Sequence, residues 1–426
     1  MNIIKNYRLL FYAKSTIITT GDLYRVTRVM IRYLFMFNTS AHSPKTPYFC
    51  IMFLHIVAFD IPYPDNYGGV IVIYHQLRAL HARGVKIILH CFQYGDRIPQ
   101  PEISRYCHEV CYYKRSRSII WQLSFLPFIM QTRRDYALLR RLKRDDYPIL
   151  FEGMHTSGFI WKKSLRKRQK LVRMHNVEWQ YYESLSQMTP VTEPLKKAYY
   201  FLESIKLQRT EPWVVLHADE LIAISSSDLD YFREMKANVH YIPPFHANER
   251  VESQTGRGEF VLFHGKLSVP DNELAAIWLI EEVFSSDLGI PFVIAGMNPT
   301  DRLKGLIADH DHIRLVENPG EREMNDLIAR AHINLLIANQ SAGVKLKLIN
   351  ALFKGRFCLV NDAMVSGSGL AKLCYVRNSA AAIRQTVEAL VNAPFEQARI
   401  GERRLVLETA YSNAENAKKL ISLVRN

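Results

Sequence analysis

Two successive series of short apolar runs, each run followed by a helix-period segment, constrain this chain more than any other feature. The first series opens with the strand Phe53-Leu54-His55-Ile56-Val57-Ala58-Phe59. A loop containing Gly68-Gly69 follows, then an amphipathic helix through Tyr74, Leu77 and Leu80 that ends near Gly84, then an apolar strand from Val85 to Cys91. This is a βαβ unit. Strands over Ile149 to Glu152, Lys170 to Arg173 and Glu220 to Ile224, with helical segments between them, extend it to one doubly wound domain.

Tyr241-Ile242-Pro243-Pro244 interrupts the pattern, because paired prolines end regular structure, and the polar residues up to Gly258 lack periodicity. The alternation then restarts. Strands at Phe260 to His264, Phe292 to Ala295, Ile313 to Val316, Ile333 to Ile337 and Phe357 to Val360 alternate with helices near Asn272 to Glu282, Glu323 to Ala331 and Lys345 to Lys354. The expected organisation is an α/β chain of two Rossmann-like, doubly wound domains. The first covers residues 51–247 and the second 259–400, with a linker at 248–258 and a C-terminal helix over 401–426 placed to cross back to the first domain. Two such domains leave a cleft between them.

Residues 1–50 read differently, as short apolar patches broken by Arg and Lys and then Ser43-Pro44-Lys45-Thr46-Pro47. They are expected to be a poorly ordered arm or an upstream translation artefact ahead of Met52. A signal peptide is the other reading, against which Arg28 and Arg32 interrupt the apolar stretch and no small-residue cleavage site is evident.

With 426 residues and 48% hydrophobic content the chain can bury more than one core. Its six cysteines form no CxxC pair and have no His spacing of a zinc site, so they read as reduced thiols of a cytoplasmic protein. No apolar run reaches the ~18 residues of a membrane-spanning helix. The net charge of +14 is unevenly spread: from Tyr112 to Lys170 fifteen Lys/Arg stand against four Asp/Glu. Such a surplus suits an anionic partner. Nucleic acid is the weaker choice, since no nucleic-acid module is present, and the basic residues flank the apolar segment from Ile119 to Ile129, as in segments that lie on membranes. A core helix with solvated flanks is the competing reading of that segment. The expected location is cytoplasmic, peripheral to the inner face of the membrane.

In open parallel sheets ligands bind beyond the carboxyl ends of the strands. The loop Pro62 to Gly69 offers Gly68 and Gly69 at a helix N-terminus, where backbone can approach a phosphate or serve simply as a turn. Phe151-Glu152-Gly153-Met154-His155 and Arg173-Met174-His175-Asn176-Val177-Glu178 deliver imidazoles from two adjacent strands to one rim. In the second domain His264-Gly265-Lys266 sets a cation beside a close-approach glycine, a pyrophosphate arrangement if Lys266 is not merely solvated. Gln340-Ser341-Ala342-Gly343 opens a helix on which Gly343, Lys347 and Asn350 share a face by i, i+4, i+7 spacing while Lys345 points away. No Walker loop, GxSxG elbow or HExxH is present and no DxD pair is positioned after a strand, so metal-dependent chemistry is not indicated.

In combination these segments resemble the family 4 glycosyltransferases of bacterial surface-polysaccharide pathways, from Met52 to the C-terminus. The Pro-rich Gly68-Gly69 loop, Arg173-Met174-His175-Asn176-Val177-Glu178, Gly265-Lys266-Leu267 leading to Asp271-Asn272, and Ala342-Gly343-Val344-Lys345-Leu346-Lys347 leading to Gly355-Arg356 fall in family order. The resemblance implies a GT-B enzyme that moves a sugar from a nucleotide-diphosphate donor to a membrane-associated glycan or lipid-linked acceptor, usually with retention, without metal or cofactor. It implies His155 near the reacting sugar. Gly265, Lys266, Gly343, Lys347 and Asn350 would line the donor site, Gly68 and Gly69 would close on the phosphate, and His175 and Asn176 would lie on the acceptor side. Where the family has paired glutamates, this chain has Ala342 and Asn350. Asparagine can still bond ribose hydroxyls, whereas alanine replaces no carboxylate. Two rivals stay open: a nucleotide-sugar epimerase, since such isomerases can share the architecture, and a non-catalytic relative, which that departure supports.

Overall fold

The computed structural model describes residues 52–425; the extension expected over residues 1–50 lies outside them. Seven parallel strands form the first sheet: β1 (Phe53–Ala58), β2 (Lys86–Gln93), β3 (Glu109–Lys114), β4 (Ile149–Glu152), β5 (Lys170–Met174), β6 (Glu220–Ala223) and β7 (Val239–Tyr241). Their spatial order is β3-β2-β1-β4-β5-β6-β7. Six more form the second: β8 (Val261–Lys266), β9 (Phe292–Met297), β10 (Ile313–Glu317), β11 (Ile333–Leu336), β12 (Phe357–Val360) and β13 (Tyr375–Val376), ordered β10-β9-β8-β11-β12-β13. Both sheets switch direction beside their first strand, between β1 and β4 and between β8 and β11. Ligand crevices of open sheets lie at such switch points.

The central strands are apolar because helices cover both faces. Ile149, Leu150 and Phe151 are fully buried, as are Leu335, Leu336, Leu359 and Val360. The edge strand β3, by contrast, keeps most of its side chains half-buried. Helices that position the site are α1 (Gly68–His81), α2 (Glu178–Met188), α3 (Pro194–His217), α4 (Pro270–Trp278) and α5 (Leu346–Lys354).

Two boundaries differ from the sequence reading. The segment 248–258 is not a free linker: Val251 is buried in the second domain's core, Ser253 hydrogen-bonds Arg403, and Gly256 bridges Phe395. The C-terminal segment is two helices rather than one. The first, α6 (Gln397–Ala410), packs Ile400 and Leu407 into the second domain's core. Tyr411 then ends it, and α7 (Asn413–Ser422) places Ala417 and Leu420 in a core shared with β1, α1 and β2 of the first domain. Gln169 clasps this end, donating to the Leu423 carbonyl at 2.8 Å and accepting from the Arg425 amide at 2.7 Å. Burial of a Leu contributes about 1.5–3 kcal/mol, so α7 is a substantial strap across the two domains. Among the described residues no helix is long and apolar enough to cross a membrane.

The apolar segment from Ile119 to Ile129 is not a core helix. A short 3-10 turn, Ile119–Leu123, leaves Ile119, Ile120, Leu123 and Phe125 exposed, and only Ile129 and Met130 enter the core. The basic stretch around it is also partly internal. Arg133 and Arg168 are buried, and Arg141 bridges Glu109 and Asp145.

Candidate active site

The carboxyl ends of both sheets face a cleft of about 760 Å³. Its lining includes Gly68, Gly69, His155, His175, Asn176, Gly265, Lys266, Lys347 and Asn350, so nine of the ten residues singled out in the sequence meet in one cavity. The tenth, Gly343, lies between the lining residues Ala342 and Val344. It adopts φ 64°, a conformation glycine enters without strain, and a methyl group built there would overlap the Asn176 side chain and press on the His175 carbonyl.

The first domain supplies an uncapped helix end. Tyr67 precedes α1 without a side-chain cap, and the first turn carries no acid, so the Gly68 and Gly69 amides are left for a ligand. A Cβ at Gly69 would lie 2.5 Å from the Phe59 ring, whereas one at Gly68 would meet nothing within 4 Å. The preceding loop is held from both sides. Asp60 accepts from the Tyr67 hydroxyl at 2.6 Å and from the Ile61 amide at 2.8 Å, while Arg97 donates to Ile61 O, Pro64 O and Asn66 Oδ1.

Behind this rim lies a buried polar chain. Arg173 donates to Gln76, Gln76 donates to Glu152 Oε1 at 2.7 Å, and Glu152 Oε2 holds His175 Nε2 at 2.8 Å. Burial alone would raise the Glu152 carboxyl, but the His175 hydrogen bond, the Arg173 charge and Gln76 outweigh it and keep it ionised. His175 is thereby fixed in ring orientation. His155 is different. Desolvation first, then the charges of Arg133, His175 and Arg115, push its pKa well below the ordinary value, so it is a neutral imidazole at pH 7. Its Nδ1 has no hydrogen-bond partner and lies 3.9 Å from Glu178 Oε1, which has none either. That gap is too long for a hydrogen bond. Burial, with Glu211 nearby, raises Glu178 to about 8.

The second domain supplies the cations. Lys266 stands exposed at the end of β8, and Lys347 donates to Asn272 Oδ1 at 3.0 Å while Asn272 Nδ2 donates to the Lys266 carbonyl at 3.1 Å. Asp271, at the start of α4, accepts from the Asn339 amide at 2.9 Å and so pins the loop that precedes α5. The helix-spacing argument for this loop fails. Gly343 lies outside α5, which begins at Leu346 with Lys345 as its N-cap residue. Lys345 therefore does not point away: it lines the cleft, and its Nζ donates to the carbonyls of Ala342 and Gly343. Desolvation lowers both Lys345 and Lys347 to about 8. Each remains largely protonated at pH 7 and is poorly solvated, a state in which an anionic ligand is welcome.

Asn350 accepts from Asn248 Nδ2 at 2.8 Å, leaving its own amide N–H groups for the cleft. Gln340, also in the lining, has a buried Oε1 without partner. The sequence reading missed Lys345, Glu178 as a neutral acid, Asp271 and Gln340. Among the described residues no group of three or more His, Cys, Asp or Glu is placed to hold a metal ion.

Two Rossmann-like domains facing a ligand cleft, strapped by a returning C-terminal helix, are the GT-B fold. Solved structures share it at low sequence identity. The structure of TarM superposes with a TM-score of 0.63 at 10% identity over 88% of this chain and 99% of that one. Anabaena Alr3699/HepE, in complex with UDP and glucose, gives 0.59 at 9% identity over 87% and 99%. A UDP-forming α,α-trehalose-phosphate synthase from Burkholderia xenovorans, in complex with glucose-6-phosphate, gives 0.59 at 10% identity over 87% and 99%. No protein-family model matches the chain. In sequence it is similar to an uncharacterised 44.6 kDa protein of the cps region of Klebsiella pneumoniae, 27% identical over 329 residues, which span 74% of this chain and 84% of that protein.

Proposed function

We propose that this protein is a glycosyltransferase of surface-polysaccharide biosynthesis, moving a hexose from a nucleotide-diphosphate sugar to a membrane-associated glycan or lipid-linked acceptor with retention and without a metal. The observation that carries the reading is that Lys266, Lys345 and Lys347 line one cleft together with the uncapped helix end at Gly68 and Gly69. In sugar transfer the bond from the anomeric carbon to the diphosphate oxygen breaks, and negative charge grows on the departing diphosphate. Preorganised cations and amides are what that transition state requires. The neutral His155 orients a sugar hydroxyl by accepting its hydrogen bond, and His175 with Asn176 faces the acceptor. The ligands bound in the structural neighbours, UDP with glucose in one and glucose-6-phosphate in another, support a nucleotide-sugar donor and a sugar acceptor. The cps-region relative supports the pathway class.

The test is incubation of the full chain with UDP-, GDP- and CDP-linked sugars, with and without a lipid extract bearing the acceptor. Release of nucleoside diphosphate that depends on the extract is the expected result. Conversion of the donor sugar without acceptor would mark the epimerase reading, and no reaction with any donor would leave Ala342 as the mark of a non-catalytic relative.

A further inference from the structure

A second cavity, of about 750 Å³, lies in the first domain between the turn Leu123–Leu126 and the long helix α3. Its walls are Leu123, Leu126, Trp161, Leu202, Ile205 and Trp213. Along α3 the positions 202, 205, 209, 213 and 216 follow helical spacing on one face, yet this face is solvent-facing: Trp213 is 61% exposed and Leu216 68%. Opposite them Leu123 is 86% and Phe125 99% exposed. A contiguous apolar patch of this kind marks an interaction surface. The cavity is preformed, because Lys206 Nζ ties the turn to the helix, donating to Gln122 O at 2.5 Å and to Glu203 Oε1 at 2.7 Å.

We infer that this slot seats a hydrocarbon chain of an anionic phospholipid, with Phe125 and Leu123 inserted in the bilayer and Arg209 at the phosphate. Two observations select that occupant. The apolar stripe from Leu202 to Leu216 runs about 21 Å at 1.5 Å per residue, enough for a chain from one ~15 Å leaflet, half of a ~30 Å hydrocarbon core, to lie along it. The charge that lines the slot is positive, from Lys206 and the exposed Arg209, whereas Glu203 on the same helix is buried and already bonded to Lys206 and the Phe128 amide. Such a mix of apolar face and basic rim matches an anionic interface. A second copy of the chain is the competing occupant, and the light-scattering measurement below distinguishes it. The inference shares with the proposed function only the placing of the acceptor at a membrane; the slot stands independently of the cleft.

The test uses the full chain and phosphatidylcholine vesicles with or without phosphatidylglycerol, the lipids carrying either native or brominated chains, which quench tryptophan on contact. Wild type should bind the phosphatidylglycerol vesicles at least tenfold more tightly than phosphatidylcholine alone, and the brominated chains should quench its fluorescence. Trp213→Phe should lose part of that quenching, while Trp278→Phe, in the second domain, should not. Phe125→Glu and Leu202→Glu, both at exposed positions, should reduce vesicle binding at least tenfold with nucleotide-induced thermal stabilisation unchanged. Binding without bromine quenching would overturn the chain-seating inference. So would a dimer in light scattering that Phe125→Glu converts to monomer.

Discussion

Gly343 of the second domain and Asn176 of the first touch across the cleft, the glycine in a left-handed conformation and without room for a single methyl group. This contact sets how closely the cation-bearing loop before α5 approaches the His175-Asn176 rim. Gly343→Ala should therefore hold the domains apart and lower donor turnover at least tenfold, with a stability loss of about 1–3 kcal/mol from the strained backbone. Asn176→Gly in the same chain should recover part of the turnover by removing the overlapping group. Steady-state kinetics of the single and double variants check this.

Gly68 and Gly69 look equivalent in sequence and differ in structure. Gly69→Ala should lower thermal stability by about 1–3 kcal/mol, because its Cβ meets the Phe59 ring, and Phe59→Leu should restore most of it. Gly68→Ala meets nothing and should keep the melting temperature while weakening donor binding. Paired thermal and binding measurements on the two variants separate packing from ligand contact.

Glu178 gives a pH signature. Its carboxyl is near 4.5 when unfolded and is raised to about 8 in the fold by burial and Glu211. Between those values the folded chain holds a proton that the unfolded chain has lost, so this group's stabilisation is full below about 4.5 and is lost as pH rises through 8. Glu178→Gln should thus gain stability over wild type progressively from pH 5 to 8, reaching on the order of a few kcal/mol. Chemical denaturation across that range checks it, and parallel curves would remove Glu178 as a buried neutral acid.

The lysines titrate in the opposite sense for binding. Lys345 and Lys347 are lowered to about 8 by burial, and an anionic ligand favours their charged forms. Donor affinity should therefore fall as pH rises through 8, and this dependence should weaken in Lys345→Ala. Calorimetric titration of nucleoside diphosphate from pH 6.5 to 9 reads the effect.

Much of this was legible in sequence where the periods were clean. β4 and β12 coincide with the runs Ile149 to Glu152 and Phe357 to Val360, since strands buried on both faces show as continuous apolar segments. β3, β7 and β13 were not recognised: Glu109–Lys114 is a half-buried edge, Val239–Tyr241 has three residues before paired prolines, and Tyr375–Val376 has two. The site was legible as strand-end loops, but Lys345 was misplaced because helical spacing was extended through Gly343, whose positive φ breaks it. Glu178 reads as an ordinary helix-start acid until Glu211 and Asp228 are seen packed near it. The exposed stripe of α3 was missed because apolar periodicity normally signals a buried face.

The central claim is that the cation-lined cleft holds a nucleotide-diphosphate sugar, and thermal-shift titration of the full chain with UDP, GDP, CDP and their sugars tests it most directly. One nucleotide should raise the melting temperature by roughly 2–5 °C near 100-fold excess over its Kd; Lys266→Ala, at an exposed position, should abolish the rise with the unliganded melting temperature retained, and Lys347→Ala should abolish it as well. Absence of stabilisation by any nucleotide, or an equal rise in both variants, would contradict the account.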